Sequence, residues 1–203
     1  MKAPAQDIVI IGAGIVGINA AAFLAEAGHK VRVFDPAGIA EMTSRGNAAA
    51  LAFSDIMPLA SPKILLRAPK WLFDPLGPLT IRPSYLPKLA PWLVRFALAS
   101  LPGQVAASAA AQTELMKLAE SEATGLWQRA GLSNMIRHDG SLELYQSDAE
   151  FNAARPGWDR RADVGIEFQH VRGSRLAELQ PGLSPQFIAA TFVPGWKTVS
   201  DPY

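Results

Sequence analysis

The residues with the clearest chemical purpose stand near the front of the chain. Gly12-Ala13-Gly14-Ile15-Val16-Gly17 sets three glycines at Gly-x-Gly-x-x-Gly spacing, and Asp35-Pro36 follows, with Asp35 eighteen positions after Gly17. A glycine at the first place permits a tight turn, at the second it lets a pyrophosphate reach the backbone, and at the third it lets a helix pack closely on a strand. Phosphates held there face unpaired N–H groups and the positive end of a helix dipole. Asp35 is spaced to accept hydrogen bonds from an adenosine ribose. The pattern describes binding, not acid–base chemistry. The glycines alone are also compatible with a βαβ unit that uses them only for packing, so their context decides.

That context requires a strand, a helix and a second strand. Ile8-Val9-Ile10-Ile11 is β-branched and reads as a buried strand of a parallel sheet. An alanine-rich helix follows and stops at Gly28, and Val31-Arg32-Val33-Phe34-Asp35 resumes as a strand. The uncharged run from Ile8 to Ala25 after Lys2 superficially suggests a signal peptide or a membrane span, but Asp7 and the three regular glycines argue against both. NAD and FAD are held alike at the adenosine end, so the motif leaves the dinucleotide open. Glu41-Met42-Thr43-Ser44-Arg45-Gly46-Asn47-Ala48-Ala49-Ala50 is a small-residue, hydroxyl-rich loop where an NAD dehydrogenase would continue to its third parallel strand. Such a loop can run beside an extended cofactor and offer it N–H groups and hydroxyls.

Composition removes other classes. Among 203 residues, nineteen Lys and Arg oppose eighteen Asp and Glu, which leaves no basic field to collect nucleic acid. The absence of cysteine excludes disulfides, thiolate metal sites and a cysteine nucleophile, and fits a reducing, cytoplasmic compartment. His29, His138 and His170 are isolated and lack metal-ligand spacing, so no metal site is expected. His29, beyond a helix end, and His138, beside a turn, read as structural. No catalytic acid, base or nucleophile constellation stands out. A flavin would make that silence tolerable, because it accepts the hydride itself.

The chain resembles the FAD-dependent amine and amino-acid oxidoreductases, a family that includes D-amino acid oxidases, glycine oxidases, sarcosine oxidases and, as the branch it looks most like, D-amino acid dehydrogenases. The resemblance rests on Gly12 to Gly17, Asp35, Thr43 to Ala48, Pro58 to Pro62, Trp71 to Pro78, Gly140 to Tyr145 and Ser200-Asp201-Pro202. It implies noncovalent FAD, with Ser44, Arg45, Asn47 and Ala48 near the pyrophosphate, ribityl chain and flavin, flanked by Thr43, Gly46 and Ala49. Ala49 departs from the family, whose members often carry glycine there. The resemblance also implies oxidation of the Cα–N bond of a D-amino acid or related amine, with the electron acceptor left open.

Beyond the loop, residues 56–111 hold nine of the sixteen prolines, and six cations between Lys63 and Arg95 are opposed only by Asp74. Short helical pieces are expected. Trp71, Phe73, Tyr85, Trp92 and Phe96 interleave with the cations. The favoured reading is a solvated face over an aromatic core. The mixture also suits peripheral contact with an anionic membrane surface, and the resembled dehydrogenases are often found at the inner face of the cytoplasmic membrane. Val105 to Ala130 reads as a long helix with Leu115, Leu118, Ala119, Leu126 and Ala130 in the core. Met135 to His138 and Ser141 to Tyr145 flank Asp139-Gly140, the signature of a two-residue hairpin in an antiparallel sheet, which marks a second domain. Ser147-Asp148-Ala149-Glu150 is a capping box. Strands at Ile166–Val171 and Phe187–Val193 and a short helix at Leu176–Gln180 complete the pattern.

The fold expected is α/β: a Rossmann-like FAD-binding βαβ unit with an inserted α+β antiparallel substrate-type domain, incomplete at the C-terminus. The domains run 1–60 for the first part of the FAD-binding domain, 61–189 for the helical segment and substrate-type domain, and 190–203 for the return. Ser200-Asp201-Pro202 prepares a helix that the sequence does not continue, so a second chain or a C-terminal part is expected as partner. Two functions stay open: the FAD-dependent oxidoreductase itself, and a non-catalytic dinucleotide-binding fragment of such an enzyme. An NAD-dependent dehydrogenase is disfavoured by the missing third Rossmann repeat.

Overall fold

The computed structural model describes residues 4–66 and 81–201. The Trp71 to Pro78 string and Pro202, both named above, lie outside the described residues. Close packing divides the chain into two units, one of Met1–Leu51, Asn134–Asp139 and Lys197–Tyr203, the other of Ala52–Ser133 and Gly140–Trp196. Residues 52–60 and 190–196 thus group with the second unit and Asn134–Asp139 with the first, unlike the boundaries expected from sequence. The fold is α/β, with a Rossmann-like βαβ opening and an antiparallel α+β part.

In the first unit, β1 (Asp7–Ile11) and β2 (Lys30–Phe34) pair in parallel, with α1 (Ile15–Glu26) between them. The expectation of a buried strand fails in part. Side chains alternate between half-buried and exposed, with Val9 52% and Ile11 81% exposed, because among the described residues β1 pairs only with β2 and α1 is the element packed on the pair. A second sheet runs β3 (Ala50–Leu51), β8 (Lys197–Val199), β4 (Ile136–Arg137), all antiparallel.

The second unit contains the helices α2 (Leu86–Ala99) and α3 (Pro102–Arg129). Pro87 and Pro102 sit in the first turns of these helices, where a missing N–H costs nothing. Leu115 and Leu118, expected in the core, are 61% and 57% exposed; the face of α3 that is covered carries Val105 and Thr113 instead. Among the described residues no single helix is long and apolar enough to cross a membrane. The three-stranded sheet of this unit has the order β5 (Ser141–Tyr145), β7 (Ala189–Val193), β6 (Gln169–Arg172). α4 (Asp148–Asp163) begins at the Ser147 capping box, where Ser147 Oγ accepts from Glu150 N at 3.2 Å and the Glu150 carboxylate accepts from Gln146 N at 2.8 Å. α5 (Gly173–Leu179) packs Leu176 with Val171 and Ala190.

The hairpin expected at Asp139-Gly140 does not form. β4 pairs with β8 and β5 pairs with β7, so the dipeptide carries the chain from one sheet, and one unit, to the other. The turn residues are right for a reversal, but non-local pairing partners won over the local one.

Candidate functional site

The glycine loop and the residues it gathers lie together at the N-terminus of α1. Gly12 has φ +104°, a conformation only glycine adopts cheaply, and its N–H donates to Phe34 O at 2.8 Å. A Cβ on Gly17 would overlap the Gly12 carbonyl oxygen, so the third glycine is required by the closeness of helix and strand. Gly14 is the N-cap, offers no side chain to the helix N–H groups, and no acidic residue occupies the first turn. Ile15 and Val16 turn their side chains to solvent, 63% and 81% exposed.

Two side chains from later in the chain reach this surface. Ser44 Oγ accepts from Ile15 N at 2.9 Å, and a Cβ added to Gly14 would meet that oxygen at 3.3 Å. Asp35 Oδ2 accepts from Ala13 N at 2.8 Å, while Oδ1 accepts from Ala37 N at 2.9 Å and Gly38 N at 3.2 Å. The N–H of Ala13, then those of Ala37 and Gly38, hold the Asp35 carboxyl below its ordinary range. Asp35 thereby ties the glycine loop to the turn that begins at Pro36, and Ala40 N closes the same turn onto Ala13 O at 2.9 Å. Sequence reasoning did not find Ala13, Ala37 or Ala40, since backbone groups carry no signature.

The loop 43–49 is shaped by its own side chains. Asn47 Nδ2 donates to Ser44 O and Asn47 Oδ1 accepts from Ala49 N, both at 2.7 Å. Arg45 pairs with Glu41 at 2.7 Å. Ala49 has φ +57°, the left-handed conformation, which gives a physical reason for glycine at this position in the resembled family. Its carbonyl accepts from Val199 N at 2.8 Å, which docks the loop end on β8. Thr43, Arg45, Gly46, Asn47 and Ala48 are exposed, Ser44 and Ala49 half-buried. Of the candidate residues, Gly12, Gly14, Ile15, Gly17, Asp35 and Ser44 are therefore drawn together, while Arg45 and Asn47 are engaged within the loop.

An anionic dinucleotide fits this surface. Its phosphates would meet backbone N–H groups at the start of α1, with no acid in the first turn to repel them and no Cβ at Gly14 to block them. One of these donors, the Ile15 N–H, already takes an oxygen partner, the Ser44 hydroxyl.

The second unit contributes a polar row across its sheet, buried at Thr191 and Tyr145 and exposed at His170 and Glu143. His170, Thr191 and Glu143 are cross-strand partners on β6, β7 and β5. His170 Nδ1 lies 2.9 Å from Thr191 Oγ1, which lies 3.1 Å from the Tyr145 hydroxyl; that hydroxyl donates to Glu143 at 3.1 Å and accepts from Trp158 Nε1 at 2.8 Å. Burial is the main cause that lowers the His170 imidazole and raises the Tyr145 phenol from their ordinary values. His29, read as a helix-end cation, instead presents Nδ1 as an acceptor to Gln6 N at 3.2 Å.

A family model described as FAD dependent oxidoreductase matches residues 7–203. A D-amino-acid oxidase of Bradyrhizobium diazoefficiens is 34% identical over 185 residues, 90% of this chain and 44% of the relative. A D-amino acid dehydrogenase of Agrobacterium fabrum is 30% identical over 198 residues, 95% of this chain and 47% of the relative. The chain thus spans less than half the length of the curated relatives it matches. Among solved structures, L-amino acid deaminase from Proteus vulgaris aligns with a TM-score of 0.61 at 18% identity, over 100% of this chain and 40% of that one. Glycine oxidase from Geobacillus kaustophilus aligns at 0.57 and 18%, over 98% and 42%. At such identities the likeness speaks to fold. With the glycine cradle, Asp35 and a family match over nearly the whole chain, the protein belongs to the FAD-dependent oxidoreductase family.

Proposed function

We propose that this chain is the cofactor-binding front portion of an enzyme that oxidises the Cα–N bond of a D-amino acid or related amine. Two electrons and two protons leave the substrate, giving an imine that water hydrolyses to a 2-oxo acid and ammonia. FAD, when bound, supplies the two-electron acceptor. The observation that carries the reading is the cradle at Gly12–Gly17 with Ser44 and Asp35 converging on it, and the names of the two relatives support the substrate class. The backbone N–H groups at Gly14 and Val16 and the Ser44 hydroxyl would hold the pyrophosphate. Asp35, anchored on three N–H groups, keeps one lone pair, on Oδ2, for a ribose hydroxyl. The loop 43–49 would run beside the ribityl chain toward the flavin.

The test uses the full-length gene product. Visible flavin bands that bleach anaerobically with D-amino acids, and not with their L-enantiomers, support the proposal. Bleaching with neither overturns the substrate class, and loss of flavin bands overturns the cofactor assignment. Retained flavin with no turnover of any amine favours the second reading, a non-catalytic dinucleotide-binding fragment, for which the short coverage of the relatives speaks.

One geometric observation supports a peripheral membrane contact at the cytoplasmic face. On α2, Leu86, Val94 and Leu98 recur at helical spacing and are 47%, 60% and 58% exposed, while Leu89, Leu93 and Phe96 form the more buried face. Lys88 and Arg95 border the exposed stripe, and no acidic residue lies between Leu86 and Leu101. Binding to phosphatidylcholine vesicles only when they contain phosphatidylglycerol, abolished by Lys88→Glu with Arg95→Glu, is the expected result. Equal binding without the anionic lipid, or none with it, refutes the contact.

A further inference from the structure

A cavity of about 180 Å³ opens within the second unit, where the edge strand β5, the last part of α4 and the turn at Ser54 and Asp55 come together. Ser141, Glu143, Trp158, Arg161 and Trp196 line it with that turn. We propose that it is a binding site for a free α-amino acid, with the carboxylate on Arg161 and the ammonium on Glu143; the inference needs no flavin and rests on these side chains alone.

Arg161 is the pole for the carboxylate. Its side chain is only 15% exposed, yet its one carboxylate partner among the described residues is Asp55, at 3.3 Å and itself 59% exposed. Nε donates to Ser54 O at 3.2 Å and Nη1 to Gly157 O at 3.4 Å. Each contact is longer than the roughly 2.7–2.9 Å of a good charge-assisted hydrogen bond. Of the five N–H groups of a guanidinium, these contacts leave two without an acceptor among the described residues. A cation so largely buried calls for an anion held closer. Stacking over the Trp158 ring, at 4.6 Å, keeps it in place for one.

Glu143 is the opposite pole. It stands in the middle of β5, accepts from the Tyr145 hydroxyl at 3.1 Å and has no cationic partner among the described residues. One chain of contacts ties the two poles together. The guanidinium lies on Trp158, Trp158 Nε1 donates to the Tyr145 hydroxyl at 2.8 Å, and that hydroxyl donates to Glu143. Trp158 and Tyr145 are 4% and 5% exposed, so the core sets the spacing of the charges. Val193, buried opposite Ser141 in the sheet, and Trp196 give the cavity an apolar wall. The volume equals that of about six waters in the liquid, which suits an amino acid with a short aliphatic side chain and not a peptide.

The experiment is isothermal titration calorimetry of the full-length gene product freed of flavin. The probes are D-valine and L-valine, isovalerate, which lacks the ammonium, and isobutylamine, which lacks the carboxylate. At least one enantiomer of valine should bind about ten-fold or more tightly than either partial analogue, because each analogue forfeits one charge-assisted contact. Arg161→Met should weaken valine binding on the order of ten-fold and bring it level with isobutylamine. Glu143→Gln should bring it level with isovalerate. A purely structural role of either side chain would instead lower the unfolding temperature, followed by circular dichroism, and weaken all the probes alike. Should Arg161→Met not fold, Arg161→Lys, which loses the planar fork, carries the comparison beside Glu143→Gln. Wild-type valine affinity in the folded variants, equal loss for all probes, or no valine binding by the wild type overturns the inference. Valine binding with this dependence in a protein that takes up no FAD supports the inference and overturns only the cofactor assignment.

Discussion

Replacing Gly17 by Ala tests the cradle most directly. In an ordinary helix position this change stabilises, by roughly 1 kcal/mol of helix propensity. Here the new methyl carbon would stand 3.0 Å from the Gly12 carbonyl carbon and well inside contact distance of its oxygen, with Ile10 Cγ2 at 3.5 Å. The obstacle is backbone, which cannot rotate aside as a side chain does. Relief requires α1 to retreat from β1 by about 1 Å, and overpacking of that kind costs about 1–3 kcal/mol. The same shift carries Ile15 N away from Ser44 and opens the surface meant for the pyrophosphate. The expected outcome is a loss of FAD affinity of roughly a hundred-fold, if the shift removes about 3 kcal/mol of phosphate binding, and a lower unfolding temperature. Gly103→Ala serves as the control, because nothing lies within 4 Å of its would-be Cβ, and it should leave FAD binding unchanged. Titration of flavin fluorescence with circular dichroism reads both effects. Wild-type FAD affinity in Gly17→Ala would refute the reasoning, since it would mean that the close approach of helix and strand does not shape the binding surface.

Replacing Ser44 and Asn47 together by Ala removes the partner of Ile15 N and the bonds that shape the loop, and should weaken FAD binding by about 1–3 kcal/mol in the same titration. Asp35 titrates below its ordinary value when folded, so the unfolded chain takes up this proton first; the contribution of Asp35 is whole above roughly pH 3.9 and is lost as pH falls through its lowered value. Asp35→Asn should remove that acid-side dependence of apoprotein unfolding, and an unchanged pH profile would place the carboxylate's bonds elsewhere. Tyr145→Phe leaves the Trp158 N–H, in a side chain only 4% exposed, without its acceptor, and should cost about 1–3 kcal/mol in denaturant unfolding.

The sequence by itself determined the parts whose causes are local. The β-branched run, the glycine spacing and Asp35 specify β1, α1 and β2 because each rests on steric rules within a few residues. Ser147 and Glu150 mark the start of α4 for the same reason, as their two bonds span one helical turn. Tertiary structure decided what depends on distant partners. Asp139-Gly140 has the chemistry of a hairpin, yet β8 and β7, both late in the chain, capture the strands on either side of it. Leu115 and Leu118 look like core residues by type, but the face of α3 that is covered is fixed by what packs on it. Arg161 was silent in the sequence because its partners, Ser54 and Asp55, lie more than a hundred residues away and are joined to it through a backbone carbonyl and a carboxylate that carry no pattern.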